Sequence, residues 1–213
     1  MESFDEKIIF IDDKWYWRND DIDLKTYNIL KNETELIEKV KPYLKGNSVA
    51  IQAGGNCGMQ VVKFAEHFDT VYTFEPDPIN FYCLNKNLPF TNVIKMQCCL
   101  GESHKLISMN SLDNEIGGFY VNENNGNIPT IRIDDLNLNN CDLIQLDVEG
   151  YQLYALRGAF NTINNFKPVI CIEFDWIERY SLTHKELNNF LENLGYVKVD
   201  SYTSDQIFVY ENA

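Results

Sequence analysis

Two short segments, set about twenty residues apart, constrain the fold of this chain more than any other part of its sequence. Val49-Ala50-Ile51 is small and β-branched, and it runs into Gln52-Ala53-Gly54-Gly55-Asn56-Cys57-Gly58. Val71-Tyr72-Thr73-Phe74 then delivers an acid, Glu75, into the turn Pro76-Asp77-Pro78, where two prolines fix the backbone. A strand that turns through glycines into a helix, followed by a strand ending in a carboxylate, suits a nucleoside. The ligand lies across the carboxyl ends of parallel strands, and the acid takes its ribose hydroxyls.

The rest of the chain fits that frame. Its 213 residues, 45% of them hydrophobic, suffice for one well-cored domain. Residues 7–18 read as two short strands around a polar turn, a β-hairpin with Trp15 and Trp17 on one face. Asn32-Glu33-Thr34-Glu35 starts a helix that reaches Leu44, with Leu36, Ile37, Val40 and Leu44 as its stripe. Strand and helix then alternate: a strand at 49–51, a helix after Gly58, a strand at 70–74, a helix from Pro78 and a strand at 92–98. The stretch 101–130, with Gly117-Gly118 and the polar run 122–127, breaks the pattern. It reads as a long excursion with one or two weak strands, either plain surface or a shaper of the substrate mouth. Regularity returns with a strand at 141–147, a helix at 152–160, a strand at 168–174 and a helix at 183–194. Strands at 197–200 and 206–210 follow, and their short link favours an antiparallel pair. The expected architecture is α/β, a mostly parallel sheet with helices on both faces. Residues 1–47 form an N-terminal extension and 48–213 the domain.

Charge narrows the partners. Lys and Arg total 18 against 32 Asp and Glu, a formal net charge of −14, with no basic cluster. Phosphate backbones would be repelled, which disfavours long nucleic acid. There is no 18-residue apolar run to span a membrane, and the acidic start lacks the basic residues of a secretory signal. The six cysteines, at 57, 83, 98, 99, 141 and 171, include no Cys-x-x-Cys pair and mostly sit in apolar runs. Buried thiols in a reducing, cytoplasmic setting are expected.

Two constellations carry chemistry. The loop Gln52 to Gly58 approximates a dinucleotide loop as Ala53-x-Gly55-x-x-Gly58. It equally approximates the acidic-x-Gly-x-Gly-x-Gly loop of methyltransferases as Gln52-x-Gly54-x-Asn56-x-Gly58. The helix N-terminus after Gly58 would offer N–H groups to a pyrophosphate or a carboxylate. The second constellation is Asp147-Val148-Glu149-Gly150 at the end of one strand, joined by Glu173 at the end of the next. Converging acids can hold a cationic group, take a proton or chelate a metal, but the spacing names no metal ligand set. His67, His104 and His184 pair with no nucleophile, and serine-hydrolase, NTPase and zinc-protease motifs are absent.

Together these residues resemble the FkbM family of S-adenosylmethionine (SAM)-dependent methyltransferases. Four segments carry the resemblance: Gln52-Ala53-Gly54-Gly55-Asn56-Cys57-Gly58; Phe74-Glu75-Pro76-Asp77-Pro78; Ile133-Asp134-Asp135-Leu136 with Leu146-Asp147-Val148-Glu149-Gly150; and Ile170-Cys171-Ile172-Glu173 with Leu194-Gly195-Tyr196. It implies a class I methyltransferase fold, a Rossmann-like three-layer sandwich of seven strands with the last antiparallel. It also implies O-methylation of a sugar or small-molecule hydroxyl. By position, Gln52, Ala53, Gly54, Gly55, Asn56 and Gly58 would line the cofactor, Glu75, Pro76 and Asp77 would sit at its ribose, and Gln97 and Cys98 at its adenine. Asp147 and Glu149 would stand at the methionine end and the acceptor, with Glu149 first and Asp147 second as catalytic candidates. Gln52 replaces the family's usual acid, Gln145 a common lysine and Gln152 a common glutamate. Two other readings stay open: a catalytically silent binding or scaffold module on this fold, which Gln52 favours, and a nicotinamide-dependent oxidoreductase.

Overall fold

The computed structural model describes residues 3–32, 35–111, 116–124 and 126–211. The chain opens with the expected hairpin, β1 (Ile8–Ile11) antiparallel to β2 (Trp15–Arg18). Asp12 and Asp13, both at positive φ, make the turn. Trp15 and Trp17 share the inward face and pack with Tyr27, Cys57, Met59 and Cys83. Next comes α1 (Lys25–Asn32), which the sequence did not announce because Tyr27 is its one buried residue. The helix expected from Asn32 to Leu44 is shorter. Its proposed start at Glu33 and Thr34 lies outside the described residues. Then α2 (Leu36–Val40) yields to a 3-10 turn at Lys41–Tyr43, where Pro42 brings no N–H to continue the ladder.

The main run follows: β3 (Val49–Ala53), α3 (Met59–Ala65), β4 (Thr70–Phe74), α4 (Pro78–Asn87), β5 (Val93–Met96) and the short β6 (Cys99–Leu100). The excursion holds β7 (Leu106–Ser111), β8 (Phe119–Asn122) and β9 (Ile128–Ile131). Residues 112–115 and 125 of it lie outside the described residues. It is more ordered than its sequence implies: with β6 it forms a four-stranded sheet ordered β6-β9-β7-β8. Ile107 and Val121 anchor it against Cys99 and Tyr151. Leu106 on the opposite face is 62% exposed, so the strand's apolar pair points both ways and hides its register.

The chain closes with β10 (Leu143–Leu146), α5 (Gln152–Arg157), α6 (Phe160–Phe166), β11 (Val169–Glu173), α7 (His184–Asn193), β12 (Tyr196–Tyr202) and β13 (Asp205–Tyr210). The main sheet has seven strands in the order β12-β13-β11-β10-β3-β4-β5. Neighbours from β11 to β5 are parallel, while β13 is antiparallel to both β11 and β12. Ile51, Ile144 and Ile170 face Leu153, Ile163 and Leu191 on one side of the sheet. Ala50, Leu143 and Val169 face Val40, Val61, Phe64 and Leu84 on the other. This is the class I methyltransferase fold, a three-layer α/β sandwich, with the N-terminal hairpin added. Among the described residues, no helix is long and apolar enough to cross a membrane.

The helix expected over 152–160 is two. A Cβ at Gly158, in the break, would fall 2.0 Å from the Gly101 carbonyl oxygen, so the excursion's backbone packs where only a glycine fits. The Asp134 carboxylate starts α6 afresh by accepting the Asn161 N–H at 3.0 Å and the Thr162 N–H and hydroxyl at 2.8 Å each. Asp135 instead pairs with Arg132 and His104. The Ile133-Asp134-Asp135-Leu136 segment therefore serves the frame. Replacing Asp134 by Ala strips α6 of its cap, and urea unfolding should register a loss of about 1–2 kcal/mol.

Candidate functional site

Sheet register builds the site. Side chains alternate along each strand, so residues two apart share a face. Thr73, Gln52, Gln145 and Cys171 are successive cross-strand neighbours in one row. Two residues further along each strand come Glu75, Gly54, Asp147 and Glu173, at the carboxyl edge of the sheet. A cavity of about 300 Å³ opens there. Gly54, Gly55, Asn56, Glu75, Asp147 and Glu149 line its base, and Cys98, Cys99 and Leu100 line one wall. Its roof comes from α1, through Ile29 and Leu30, and from Ile116 to Phe119 at the start of β8.

Gly54 (φ +85°) is required by the frame itself: a Cβ there would lie 1.9 Å from the carbonyl oxygen of Asp147. Gly58 (φ +95°) occupies the N-cap of α3 in a conformation that side chains resist. The loop's N–H groups are largely spent internally. Those of Gly54 and Gly55 donate to the Phe74 carbonyl, that of Gly58 to the Gly55 carbonyl, and that of Cys57 to the Asn56 side chain. The Asn56 N–H donates to Glu75 Oε2 at 2.7 Å.

Glu75 is 5% exposed. Its second oxygen accepts the Asp77 N–H at 2.8 Å. Burial, and then the neighbouring Asp77 charge, push its pKa up to about 8, against the opposing pull of the two N–H bonds and of Arg18. Ala53, Pro76 and Cys98 also line the cavity. Gln52, Gly58, Asp77 and Gln97 do not. Gln52 is fully buried beneath the loop, where its oxygen accepts the Thr73 hydroxyl at 2.6 Å and its amide donates to the Gly54 carbonyl at 3.1 Å. Asp77 turns away to cap α4 through the Ile79 and Asn80 N–H groups. Gln97 is exposed.

The second constellation does converge. Oxygens of Asp147, Glu149 and Glu173 lie within 4.8 Å of one another. Glu149, at φ +53°, is gripped by Arg179, whose Nη1 donates to its Oε2 at 2.9 Å and to its carbonyl at 3.2 Å. Burial, then the charges of Asp147 and Glu149, push Glu173 up to about 10, so it holds its proton at neutral pH. Its Oε2 is buried without a hydrogen-bond partner. Such a cluster is a receptor for positive charge, whether ammonium, sulfonium or metal. Gln152 donates to the Glu173 carbonyl at 2.9 Å, while the Gln145 amide, one residue pair deeper, is buried with neither atom bonded.

The histidines stay outside the cavity. His184 stacks on Phe174, His104 pairs with Asp135, and His67 packs edge-on to Phe68. All six cysteines are buried. Sequence reasoning missed the α1 side of the roof, the Arg179 grip on Glu149, and Trp176. That tryptophan is 49% exposed at the cavity mouth and held at φ +63°, where a bulky residue is strained. None had a periodic or motif signal. Gly117-Gly118 did stand out in the sequence as a break, and both glycines line the cavity, with Gly117 against Thr26 of α1.

Comparison with known proteins places this geometry. No curated protein matches the chain. Among solved structures, methyltransferase FkbM from Methylobacillus flagellatus KT superposes with a TM-score of 0.51 at 19% identity, over 77% of this chain and 43% of that one. The chain thus spans less than half of that protein's length. Precorrin-6y C5,15-methyltransferase from Geobacter metallireducens GS-15 gives a TM-score of 0.47 at 12% identity, over 94% of this chain and 96% of that one. N-methyltransferase NodS from Bradyrhizobium japonicum WM9 gives 0.49 at 12%, over 87% and 96%. The family model described as the methyltransferase FkbM domain matches residues 52–198, from the buried Gln52 to the middle of β12. This chain belongs to the FkbM methyltransferase family.

Proposed function

We propose that this protein transfers a methyl group from SAM to a hydroxyl of a sugar or other small molecule held beneath the α1–β8 roof. The observation that carries the reading is Glu75, a buried carboxylate at a strand end in the base of the cavity, beside the backbone of Gly54 and Gly55. Two ribose hydroxyls would donate to it, and the ligand's own bonds would compensate the burial of its charge. Gly54, Gly55 and Asn56 would pass under the ribose, while Pro76 and Cys98 would border the adenine. The acidic trio at 147, 149 and 173 would face the cationic sulfur and amino end.

SAM brings an already activated methyl; the chain's task is to align the acceptor oxygen, exclude water and manage one proton. Glu149 is the first candidate. Because Arg179 holds it, it can orient an acceptor hydroxyl through a fixed hydrogen bond. The pairing fixes where that carboxylate sits. Asp147, beside the protonated Glu173, is the second candidate for receiving the acceptor's proton.

Two features favour this reading over its rivals. A dinucleotide loop offers its N–H groups to a pyrophosphate, whereas the N–H groups of Gly54 to Gly58 are bonded within the protein. Gln52, the residue that favours a silent scaffold, holds the loop through Gly54 and leaves the cavity open.

Isothermal titration should give binding of SAM and S-adenosylhomocysteine (SAH) and none of NAD; binding of none of the three would favour the scaffold. Because the ribose hydroxyls prefer an ionised Glu75, SAH affinity should climb by up to about tenfold per pH unit towards pH 8 and level off above it. Glu75→Gln should flatten that rise and weaken SAH. Glu149→Gln should keep SAH affinity while methyl transfer from labelled SAM to a panel of sugars falls by about a hundredfold. Unchanged turnover would remove Glu149 from the chemistry.

A further inference from the structure

Arg18, the last residue of β2, precedes the family-matched region and belongs to the added hairpin. It is 4% exposed, and every face of its guanidinium is engaged. Nε and Nη2 donate to Asp20 at 2.7 and 2.6 Å, and Nη1 donates to Asp77 at 2.6 Å and to Asn80 at 3.3 Å. The plane lies over the ring of Phe119, 5.0 Å from its centroid, and Phe119 is part of the cavity roof. Asp77 in turn sends its N–H to Glu75. A second tie runs in parallel. Asn87 of α4 exchanges two 2.8 Å bonds with the Tyr16 backbone of β2 and donates at 2.7 Å to the Cys57 carbonyl of the glycine loop.

We propose that Arg18 is a positioning residue for the cofactor: through Asp77 it fixes the Glu75 carboxylate, and through Phe119 it fixes the roof. The hairpin is then part of the cofactor site rather than an appendage. The inference rests on the SAM reading given above. Its physical basis is charge. Glu75 and Asp77 are two acids two residues apart in a buried turn, and Arg18 is the cation packed between that turn and the roof. Removing it leaves an uncompensated buried carboxylate, which would rotate towards water. The cap of α4 and the N–H that aims Glu75 would go with it.

The test compares wild type, Arg18→Gln and Arg18→Lys by SAH titration across pH 6–9, with melting temperature measured in parallel. SAH affinity should fall tenfold or more in Arg18→Gln and recover in part in Arg18→Lys, which reaches Asp77 but cannot fork to Asp20. The pH at which affinity levels off should move upward in Arg18→Gln. The other groups facing Glu75, namely Asp77 and the thiols of Cys57 and Cys99, are unchanged, and a merely structural role would not move that midpoint. Folded Arg18→Gln with SAH affinity within twofold of wild type and the same midpoint overturns the inference alone. Wild type that binds no SAH overturns the cofactor reading and the inference together. Should the variants not fold, hydrogen exchange on wild type decides: SAH should slow exchange at Tyr16 to Arg18 as well as in the loop, and an unaffected β2 overturns the inference.

Discussion

The cross-strand register of the central sheet is the constraint on which this molecule depends. Gln145 lies opposite both Gln52 and Cys171, and Gln52 lies opposite Thr73. Once that row is set, the pleat leaves no freedom in the next one: Gly54, Glu75, Asp147 and Glu173 must reach the same edge on the same face. A slip of one residue in any strand would send its acid to the opposite helix layer. The apolar residues on either side enforce the register, since Ile51, Ile144 and Ile170 are wholly buried on one face and Ala50, Leu143 and Cys171 on the other. The hydrophobic effect thus places the acids without touching them.

The placement is costly in electrostatic terms. Glu75 beside Asp77, and Glu173 beside Asp147 and Glu149, are like charges in a site with little water, and both Glu75 and Glu173 retain their protons more tightly than an exposed carboxylate. Cations relieve part of this repulsion, Arg18 at one end through Nη1 on Asp77 and Arg179 at the other through Nη1 on Glu149. Between them the base of the cavity stays acidic and Gln145, where a lysine is common in the family, brings no charge. A positively charged ligand would relieve the repulsion further.

How much of this was readable without coordinates follows from the range of the forces involved. Glycines at positive φ, prolines that fix a turn, and apolar runs flanked by acids are local signals, and they located β3, β4, β10, β11 and the base of the cavity. The count of seven strands with the last antiparallel followed from family resemblance, and the antiparallel last pair also from the short link Ser201 to Asp205. What escaped was set by tertiary contact. The α1 helix carries no stripe because one tyrosine suffices to dock it. The restart at α6 is made by Asp134, more than twenty residues away in sequence, and the break at Gly158 lies against the Gly101 backbone. Gln52, Asp77 and Gly58 fall at motif positions yet act one layer behind the cavity wall. A motif fixes which turn a residue belongs to; the direction of its side chain is decided by partners such as Thr73 and Arg18.

The cavity therefore has two parts of different origin. Its base comes from the sheet edge and loop that the family model covers, and it is acidic and backbone-rich. Its roof joins α1, from outside that region, to residues 116–119, whose apolar side chains Ile29, Leu30, Ile116 and Phe119 face the base. A molecule between them would meet an apolar surface above and carboxylates below. The half-exposed Trp176, strained into place at the mouth, adds a flat apolar surface beside the opening. Changes in α1 or at the Gly117-Gly118 bend would then reshape the roof without disturbing the sheet edge. The roof and the base of the cavity are built by different forces, docking of added segments above and strand register below.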